Sequence, residues 1–370
     1  MSAMLTMQPT LLIGPSDWDA ERMPREKFAR RIDALWRHAG DASRAIVFGS
    51  RQHHAELAYL TNFVPKLEPA VAVLARGGAH RLFVGSPNML GAARPLTFVE
   101  IVSPMKDMAP AIANDPQHSL VIGADYMPAA FRQTVTQAIG GPEPIADATA
   151  LVWARMCRKS RAELDAIGAA VKLTEVARQA MREVSRAGAG ATDVILAGEA
   201  AAIAAGAQDV RTLFSLDGGR TLRPFAASVV KQVDPLLVYL AARRFNYWAE
   251  CFALVTPRPE PTGLDETVRK ALRSALSAIK AGVSTQAIER QIATAMAPYR
   301  PHPVTARAFA QRMGLALDEP PYTNVGESFE EGEVYSLRIG AFDEPRGGLI
   351  CSRMFVVQPD GIVTIDEVSL

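Results

Sequence analysis

Charged side chains in apolar surroundings are the residues of this chain with the clearest potential for chemistry. Arg338 lies inside the apolar run 334–339, Arg353 comes directly before the run 354–357, and Glu250 follows an aromatic stretch. An unpaired charge in such a strand is costly, so we expect one or both arginines to face a partner or a ligand. Partial desolvation would suit Glu250 to general-base catalysis. The alternative is that Glu250 and Arg338 pair with each other and only stabilise the fold.

Two further pairs of arginines lie near turn signals. Arg220 and Arg223 follow the glycine pair 218–219. They could form a bidentate clamp for a ligand carboxylate, or they could be solvated loop residues, as most arginines are. We interpret Arg243 and Arg244 as an exposed hairpin turn or a dimer contact.

Short motifs of common hydrolases and nucleotide-binding proteins are absent from the sequence. There is no Gly-rich phosphate loop, no Gly-x-Ser-x-Gly and no His-Glu-x-x-His. His302 is flanked by prolines, which predicts a surface loop residue more than a ligand or a general base.

Composition excludes several classes of protein. The 370 residues are 49% hydrophobic and carry 40 Lys and Arg against 39 Asp and Glu, a net charge of +1. A nearly neutral chain with scattered basic residues is not built to hold a nucleic acid. Cys157, Cys251 and Cys351 are too few and too dispersed for a disulfide framework or a thiolate metal site. No apolar run approaches a membrane span and the first residues do not resemble a secretory signal, so we expect a cytoplasmic protein without membrane contact.

The order of predicted elements divides the chain at the Gly-Gly-Pro-Glu-Pro break, residues 140–144, into domains covering 1–150 and 151–370. The first alternates helices and buried strands, as α/β domains do. The second is α+β and opens with a capping box, Ser160 followed by Glu163. Predicted helices cover 24–39, 128–139, 192–204 with Thr192 as N-cap, 265–281 and 284–297. Predicted strands cover 45–48, 71–74, 81–84, 120–123, 236–240, 252–256, 334–339 and 354–357.

Several fragments, in this order and spacing, resemble the creatinase/aminopeptidase P/methionine aminopeptidase superfamily. Tyr-Leu-Thr-Asn-Phe at 59–63 is similar to the Tyr-Leu-Thr-Gly-Phe pattern of its N-terminal domain, and 158–164 is similar to the start of its catalytic domain. Residues 238–250, 329–339 and 350–361 resemble its ligand-bearing strands. The resemblance covers nearly the whole chain. It implies an α+β, creatinase-like two-domain chain with an N-terminal α/β domain and a C-terminal pita-bread domain.

Metallopeptidases of this superfamily hold two divalent ions with two Asp, one His and two Glu. The resemblance places Tyr239 and Glu250 at the Asp positions, Gln311 at the His position, and Arg338 and Ser352 at the Glu positions. A hydrolytic metal pair needs bridging carboxylates, and a guanidinium repels a cation. The resemblance therefore implies no metal, no other cofactor and no Xaa-Pro aminopeptidase activity.

Creatinase, a metal-free member, hydrolyses a C–N bond with a His general base, and Phe225 occupies the matching position here. Acid–base work would then fall to Glu250, Asp217 or Tyr239, or to a residue of a partner subunit in the homodimer that the resemblance implies. The expected substrate contacts are Arg338, Gln311, Arg220, Arg223, Ser352 and Arg353.

Two functions remain open. The first is a metal-independent enzyme that hydrolyses or eliminates at a C–N bond of a small nitrogen compound, with a carboxylate that the arginines would attract. The second is a catalytically inactive pseudo-peptidase that binds a ligand or a protein. The enzyme is the first hypothesis, because a disused cavity would fill with apolar residues instead of arginines that need partners.

Overall fold

The computed structural model describes residues 18–113, 118–141, 146–224, 229, 231, 233, 235–255, 263–297, 299–305, 309–322, 327–343 and 347–365. No helix in these ranges is long and apolar enough to cross a membrane.

Residues before about 150 build a six-stranded mixed sheet. Its strands are β1 (Arg44–Gly49), β2 (Ala70–Ala75), β3 (Arg81–Val84), β4 (Glu100–Val102), β5 (Ser119–Ile122) and β6 (Ala146–Asp147), in the order β4-β3-β2-β1-β5-β6. Strand β2 pairs antiparallel with both β1 and β3. The other pairs are parallel: β4 with β3, β5 with β1, and β6 with β5.

Helices cover both faces of this sheet, because successive side chains of a strand point in opposite directions. Ala45 and Val47 of β1 join the core that contains Phe28, whereas Ile46 and Phe48 join a separate core. The helices are α1 (Arg25–Trp36), α2 (Ala55–Thr61), α3 (Pro87–Ala93), α4 (Met108–Ala113), α5 (Ala129–Ala138) and α6 (Thr149–Met156).

Residues after about 150 form two antiparallel sheets with helices on one side. One sheet contains β7 (Asp209–Phe214), β8 (Leu237–Arg244) and β9 (Tyr247–Leu254); the other contains β10 (Arg300–Pro301), β11 (Ala310–Arg312), β12 (Val334–Asp343), β13 (Gly347–Gln358) and β14 (Gly361–Thr364). The helices are α7 (Arg161–Arg186), α8 (Ala191–Ala204), α9 (Gly263–Ala278) and α10 (Thr285–Ala295).

Strands β9 and β13 bring the two sheets together side by side, and side chains close the seam. The Phe252 N–H donates to Ser352 Oγ at 2.9 Å, and the Glu250 N–H donates to Met354 Sδ at 3.3 Å. Because side chains alternate along a strand, β9 and β13 have two distinct surfaces. On the helix face, Cys251 packs with α7 residues and Leu349 and Cys351 pack with α9 residues. The opposite surface, which carries Glu250 and Ser352, is called the site face below.

A buried polar network joins the first part of the chain to the second. This junction network consists of Lys27 and Arg31 of α1, Ser160 and Glu163 at the start of α7, and Tyr247 of β9. Arg31 Nη2 lies 2.8 Å from Glu163 Oε1, which also accepts a 2.9 Å hydrogen bond from Tyr247. Lys27 donates to Ser160 Oγ at 2.8 Å. Every charge in this contact has an opposite charge beside it, as buried ions require.

The α+β architecture is confirmed, and each predicted helix and strand overlaps an observed one, although β9 and β13 begin five and seven residues before the predicted strands 252–256 and 354–357. Two local predictions were wrong. The N-cap of α8 is Gly190, while Thr192 Oγ1 accepts a hydrogen bond from the Val229 N–H. The hairpin turn is formed by Phe245 and Asn246, both with positive φ, so Arg243 belongs to β8.

Candidate functional site

A bidentate ion pair lies at the centre of the site face. Arg338 of β12 donates from Nε to Glu250 Oε1 and from Nη2 to Glu250 Oε2, each at 2.5 Å. Tyr239 of β8 donates its hydroxyl to Glu250 Oε2 at 3.0 Å. Glu250 is 4% exposed and Arg338 is 9% exposed. Both oxygens of the carboxylate are therefore engaged, and we call Glu250–Arg338 the central ion pair.

The remaining two family positions lie beside this pair. Ser352 is directly opposite Arg338 in the β12–β13 register. Gln311 of β11 makes a side-chain hydrogen bond with Asp318, whose charge interacts with Arg338 and Glu250. The structure thus brings Tyr239, Glu250, Gln311, Arg338 and Ser352 close together, although they come from five strands of two sheets.

The electrostatics of these five positions keep Arg338 charged and Tyr239 neutral. Burial is the largest single effect on the pKa of Arg338 and lowers it, but the charge and hydrogen bonds of Glu250 together with Tyr239 and Asp318 outweigh burial, and the pKa is raised. Burial, and then the charge of Glu250, raise the pKa of Tyr239 well above its ordinary value. Burial also raises the pKa of Asp318, against the opposing effects of Gln311 and Arg338.

A pair of divalent cations does not fit these residues. Among the described residues, no group of three or more His, Cys, Asp or Glu side chains is placed to hold a metal ion. At the five positions one carboxylate remains, and its two oxygens accept hydrogen bonds from Arg338 and Tyr239. A cation at this point would face the fixed positive charge of Arg338 without a bridging ligand.

The Gly-Gly loop is organised around Asp217 and does not bring its arginines to the central ion pair. The Asp217 carboxylate accepts hydrogen bonds from Ser215 Oγ, Thr221 Oγ1 and the backbone N–H groups of Arg220 and Thr221, and its pKa is lowered. Arg220 and Arg223 are exposed, and each contacts a residue of this loop. Such a saturated carboxylate shapes a turn, and we see no contact that would let it act as a base.

Leu222 is the residue of this loop that reaches the site. It packs with Tyr239, Phe252 and Ile350 in a small apolar cluster. Phe225, at the position of the creatinase base, lies outside the described residues.

Arg353 lies on the other side of the sheet from Arg338. In the β12–β13 register it is opposite Leu337, which belongs to the core beneath α9, and it lines a cavity of about 1650 Å³ between α7 and α9. Strand alternation therefore turns this side chain toward the helix face while Ser352 points to the site face.

His302 is a buried structural residue, so the expectation of a surface position was wrong. Its side chain is fully buried, and burial lowers its pKa. Because Nδ1 accepts from the Val304 N–H at 3.2 Å, Nε2 carries the proton and donates to the Gly219 carbonyl at 2.8 Å. His302 thereby fastens the Gly-Gly loop to the sheet.

A group of cations near the site was missed by the sequence analysis. Arg211, Ala241 and Glu250 form one row across β7, β8 and β9, and Asp209, Arg243 and Trp248 form the adjacent row. Lys66, from the first part of the chain, is close enough for Arg243 to lower its pKa. We call Lys66, Arg211 and Arg243 the cationic cluster. The available signal was the charged alternation of β7, where Asp209 and Arg211 share a face.

Comparison with known proteins agrees with this fold. The model of metallopeptidase family M24 matches residues 146–359. The structure is similar to a prolidase from Pyrococcus horikoshii, with a TM-score of 0.75 and 16% identity over 92% of this chain and 98% of that one. It is similar to zinc-substituted aminopeptidase P from Escherichia coli, with a TM-score of 0.74 and 15% identity over 94% and 96% of the two chains. It is also similar to dipeptidase PepE from Mycobacterium ulcerans, with a TM-score of 0.67 and 18% identity over 95% and 97%.

At these identities the structural likeness establishes a shared fold. A search of curated proteins finds no match. The family match covers more than half of the chain and includes the strands that bear the central ion pair. The chain is therefore a member of metallopeptidase family M24, within the creatinase/aminopeptidase P superfamily of pita-bread proteins.

Proposed function

We propose that this chain is a metal-independent, ligand-binding member of family M24 that does not hydrolyse peptide bonds. The observation that carries the proposal is the bidentate Glu250–Arg338 pair at the positions of two family metal ligands. A guanidinium there supplies fixed positive charge in place of part of the metal charge, but it cannot activate a water molecule as a divalent ion does.

The state of Glu250 and Tyr239 favours binding over acid–base catalysis. Both Glu250 oxygens already accept hydrogen bonds from Arg338 and Tyr239, so a substrate proton would have to compete with these donors for the carboxylate. The raised pKa of Tyr239 makes it a poor proton donor near neutrality. Arg338 does not need a partner from outside the protein, because Glu250 already pairs with it. The presence of this arginine is therefore no argument for catalysis.

The ligand that we propose is a small molecule bearing carboxylate groups. Arg211 and Arg243 lie on the same face of the β7–β8–β9 sheet as Glu250, and Arg338 pairs with Glu250 on the site face. Guanidinium groups bind carboxylates with paired hydrogen bonds. A homodimer in the cytoplasm remains part of this proposal.

A metal-independent enzyme is the second candidate, and Asp318 is the observation that favours it. Burial raises the pKa of this carboxyl, although its residue is exposed at the mouth of the site, and it faces Gln311 and Arg338. A carboxyl with a raised pKa beside a ligand site can exchange a proton with a substrate.

Metal analysis tests the claim that this chain is metal-independent and does not hydrolyse peptide bonds. We expect purified protein incubated with Mn²⁺, Co²⁺ or Zn²⁺ and then desalted to retain far less than one equivalent of metal, and to leave Ala-Pro and Gly-Pro intact. Two tightly held equivalents, or metal-dependent hydrolysis, would refute it.

A thermal-shift screen of small carboxylic acids and their amides tests ligand class. We expect a carboxylate to raise the melting temperature of the wild type and to have no such effect on Arg338→Met. Arg312→Met is the matched control, because Arg312 forms another buried pair, with Glu333 at 3.1 Å. A ligand turned over by the wild type but not by Asp318→Asn would favour the enzyme.

A further inference from the structure

A long groove lies on the helix face, on the opposite side of the sheets from the central ion pair. Helix α7 packs on β8 and β9, helix α9 packs on β12 and β13, and a cavity of about 1650 Å³ separates the two helices. Its lining follows α7 from Val171 to Arg186, a length of about 22 Å at the rise of a helix. We call this cavity the helix groove. It is larger than the usual pocket for one small molecule and therefore suits an extended ligand.

The floor of the helix groove is apolar and incompletely covered. Cys251 and Ala253 of β9 and Cys351 of β13 line it. Each is only partly buried, although it lies on the face that the helices cover. Val171 of α7 and Leu272 of α9 border this floor and are also partly buried. Partly exposed apolar surface gains free energy when an apolar partner covers it.

Basic side chains form the wall that α7 contributes. Arg178, Arg182 and Arg186 follow one another at four-residue intervals, so they lie on one side of the helix about 6 Å apart. Glu175 pairs with Arg178, which donates to it from Nε at 3.0 Å. Burial, and then the like charge of Arg178, lower the pKa of Arg182 despite Glu175, and Arg186 adds to the effect. Arg182 and Arg186 form no ion pair within the described part of the chain.

Helix α9 contributes a second basic wall. Arg269, Lys270 and Arg273 line the groove and are exposed. Arg269 is close enough to Cys351 on the floor to oppose the rise that burial causes in the pKa of that thiol. Two walls of like charge repel each other across the groove, and an anionic ligand between them would relieve this repulsion.

The mixture of charges and apolar surface indicates the class of ligand. Glu175, Asp265 and Glu266 line the groove together with the basic residues, and these carboxylates would repel a continuous chain of phosphates such as a nucleic acid. A peptide can place its carboxylates beside the arginines and its apolar side chains on the floor. The four-residue interval of the arginines on α7 is also the interval at which side chains repeat along one face of a second helix.

We propose that the helix groove binds an acidic amphipathic helix of a partner protein, with the apolar face of that helix on the floor and its carboxylates beside Arg182, Arg186 and Arg273. Amphipathic helices bind in apolar grooves of other proteins in this way. The inference goes beyond the proposed function, because the groove and the central ion pair lie on opposite faces of the sheets.

Fluorescence anisotropy with a synthetic peptide is the test. The probe is a labelled helical peptide of about 15 residues, the length of the groove, with Leu and Ala on one face and Glu on the other. The comparison probes are a scrambled peptide of the same composition, the same peptide with Gln in place of Glu, and oligothymidylate. We expect the acidic peptide to bind at physiological ionic strength, and both altered peptides to bind at least about tenfold more weakly.

Replacing one arginine of each wall should weaken the acidic peptide. The double variant Arg182→Gln/Arg273→Gln should lose about tenfold in affinity, because each exposed ion pair contributes modestly. Arg290→Gln is the matched control, since Arg290 is an exposed arginine of α10 that does not line the groove, and it should bind as the wild type does. Arg182→Glu should weaken the peptide further, and changing one Glu of the peptide to Lys should restore part of that loss.

Several outcomes would overturn this inference. They are the absence of binding by the acidic peptide, equal binding of the scrambled peptide, and an equal loss in Arg290→Gln. Tighter binding of oligothymidylate would overturn the assignment to a peptide. A variant that ends at Ile365 lacks Asp366 and Glu367, and a gain of about tenfold or more in its affinity would make the chain its own occupant and overturn a partner protein. Arg338→Met, which tests the proposed function, should leave peptide binding unchanged, so the two proposals can fail separately.

Discussion

The junction network and the cationic cluster both contain a buried arginine and residues from the two parts of the chain, but the two arginines are hydrogen-bonded to different extents. In the junction network, Arg31 donates to the Tyr59 carbonyl at 2.7 Å and pairs with Glu163 at 2.8 Å. In the cationic cluster, Arg243 interacts with Asp209, and no acceptor for its Nε is found in the part of the chain that the structure describes. Both arginines are almost fully buried, at 7% and 6% exposure.

This difference separates a fully paired structural contact from a less completely paired one. Desolvating a charge is costly, and a contact that serves only stability satisfies each charge internally. The junction network does so with a carboxylate whose pKa is lowered to about 2, against the effect of burial, by Arg31 and its other partners. In the cationic cluster the buried guanidinium of Arg243 is less completely hydrogen-bonded than that of Arg31, since its Nε finds no acceptor among the described residues.

Replacing Arg31 should have the largest effect. Arg31→Met leaves the buried Glu163 without its main partner, so we expect the free energy of unfolding to fall by about 3–5 kcal/mol, measured by urea denaturation. Arg178→Met removes an ion pair with Glu175 on the surface of α7 and should cost less than about 1 kcal/mol. Equal losses in the two variants would contradict the structural role of the junction network.

The pH dependence of stability should reveal that the buried His54 is held neutral by its surroundings. Burial, and then the charge of Arg243, lower the pKa of His54 to about 4, from an ordinary value of 6.5. The unfolded chain therefore binds the proton more readily, and stability is complete above pH 6.5 and declines as pH falls toward 4, by up to roughly 3 kcal/mol.

His54→Gln should lack this part of the slope in denaturation measured between pH 4 and 7. His118→Gln is the control, since its side chain is 77% exposed. Parallel pH profiles of wild type and His54→Gln would show that His54 is not held neutral by its surroundings.

Replacing Arg243 should have the smallest effect on stability. Arg243→Met removes a buried charge that is poorly compensated, so we expect the free energy of unfolding to rise or to change by less than about 1 kcal/mol. The comparison with Arg31→Met sharpens the distinction between the two regions, because both replacements remove a buried arginine. A loss of about 3 kcal/mol or more would place Arg243 with the structural ion pairs.

Much of the fold could be predicted because hydrophobic periodicity and capping are local properties. The capping box at Ser160 and Glu163 is present at the start of α7, and the apolar runs 45–48 and 120–123 became the paired strands β1 and β5. The position of the β8–β9 turn could not be predicted in this way. Phe245 and Asn246 adopt positive φ, which β-turn statistics assign to Gly and Asn more than to an aromatic residue.

Only part of the site was predicted from the sequence. The resemblance selected Tyr239, Glu250, Gln311, Arg338 and Ser352, and these residues lie together; their roles remain predictions. Arg353 was expected beside them and lies on the helix face. Arg211 and Arg243 were missed because their strand carries no family motif and one of them resembled a turn residue.

The sequence by itself determined which elements form, and its resemblance to the superfamily singled out five residues at the expected metal positions. It also determined the alternation of each strand, since side chains have a period of two. Only the tertiary structure decided which face of each strand packs against the helices and which is left for a ligand. It also joined Glu250 to Arg338 across 88 residues, because partners so distant in the chain meet only when separate strands pack, and no local pattern specifies that pairing.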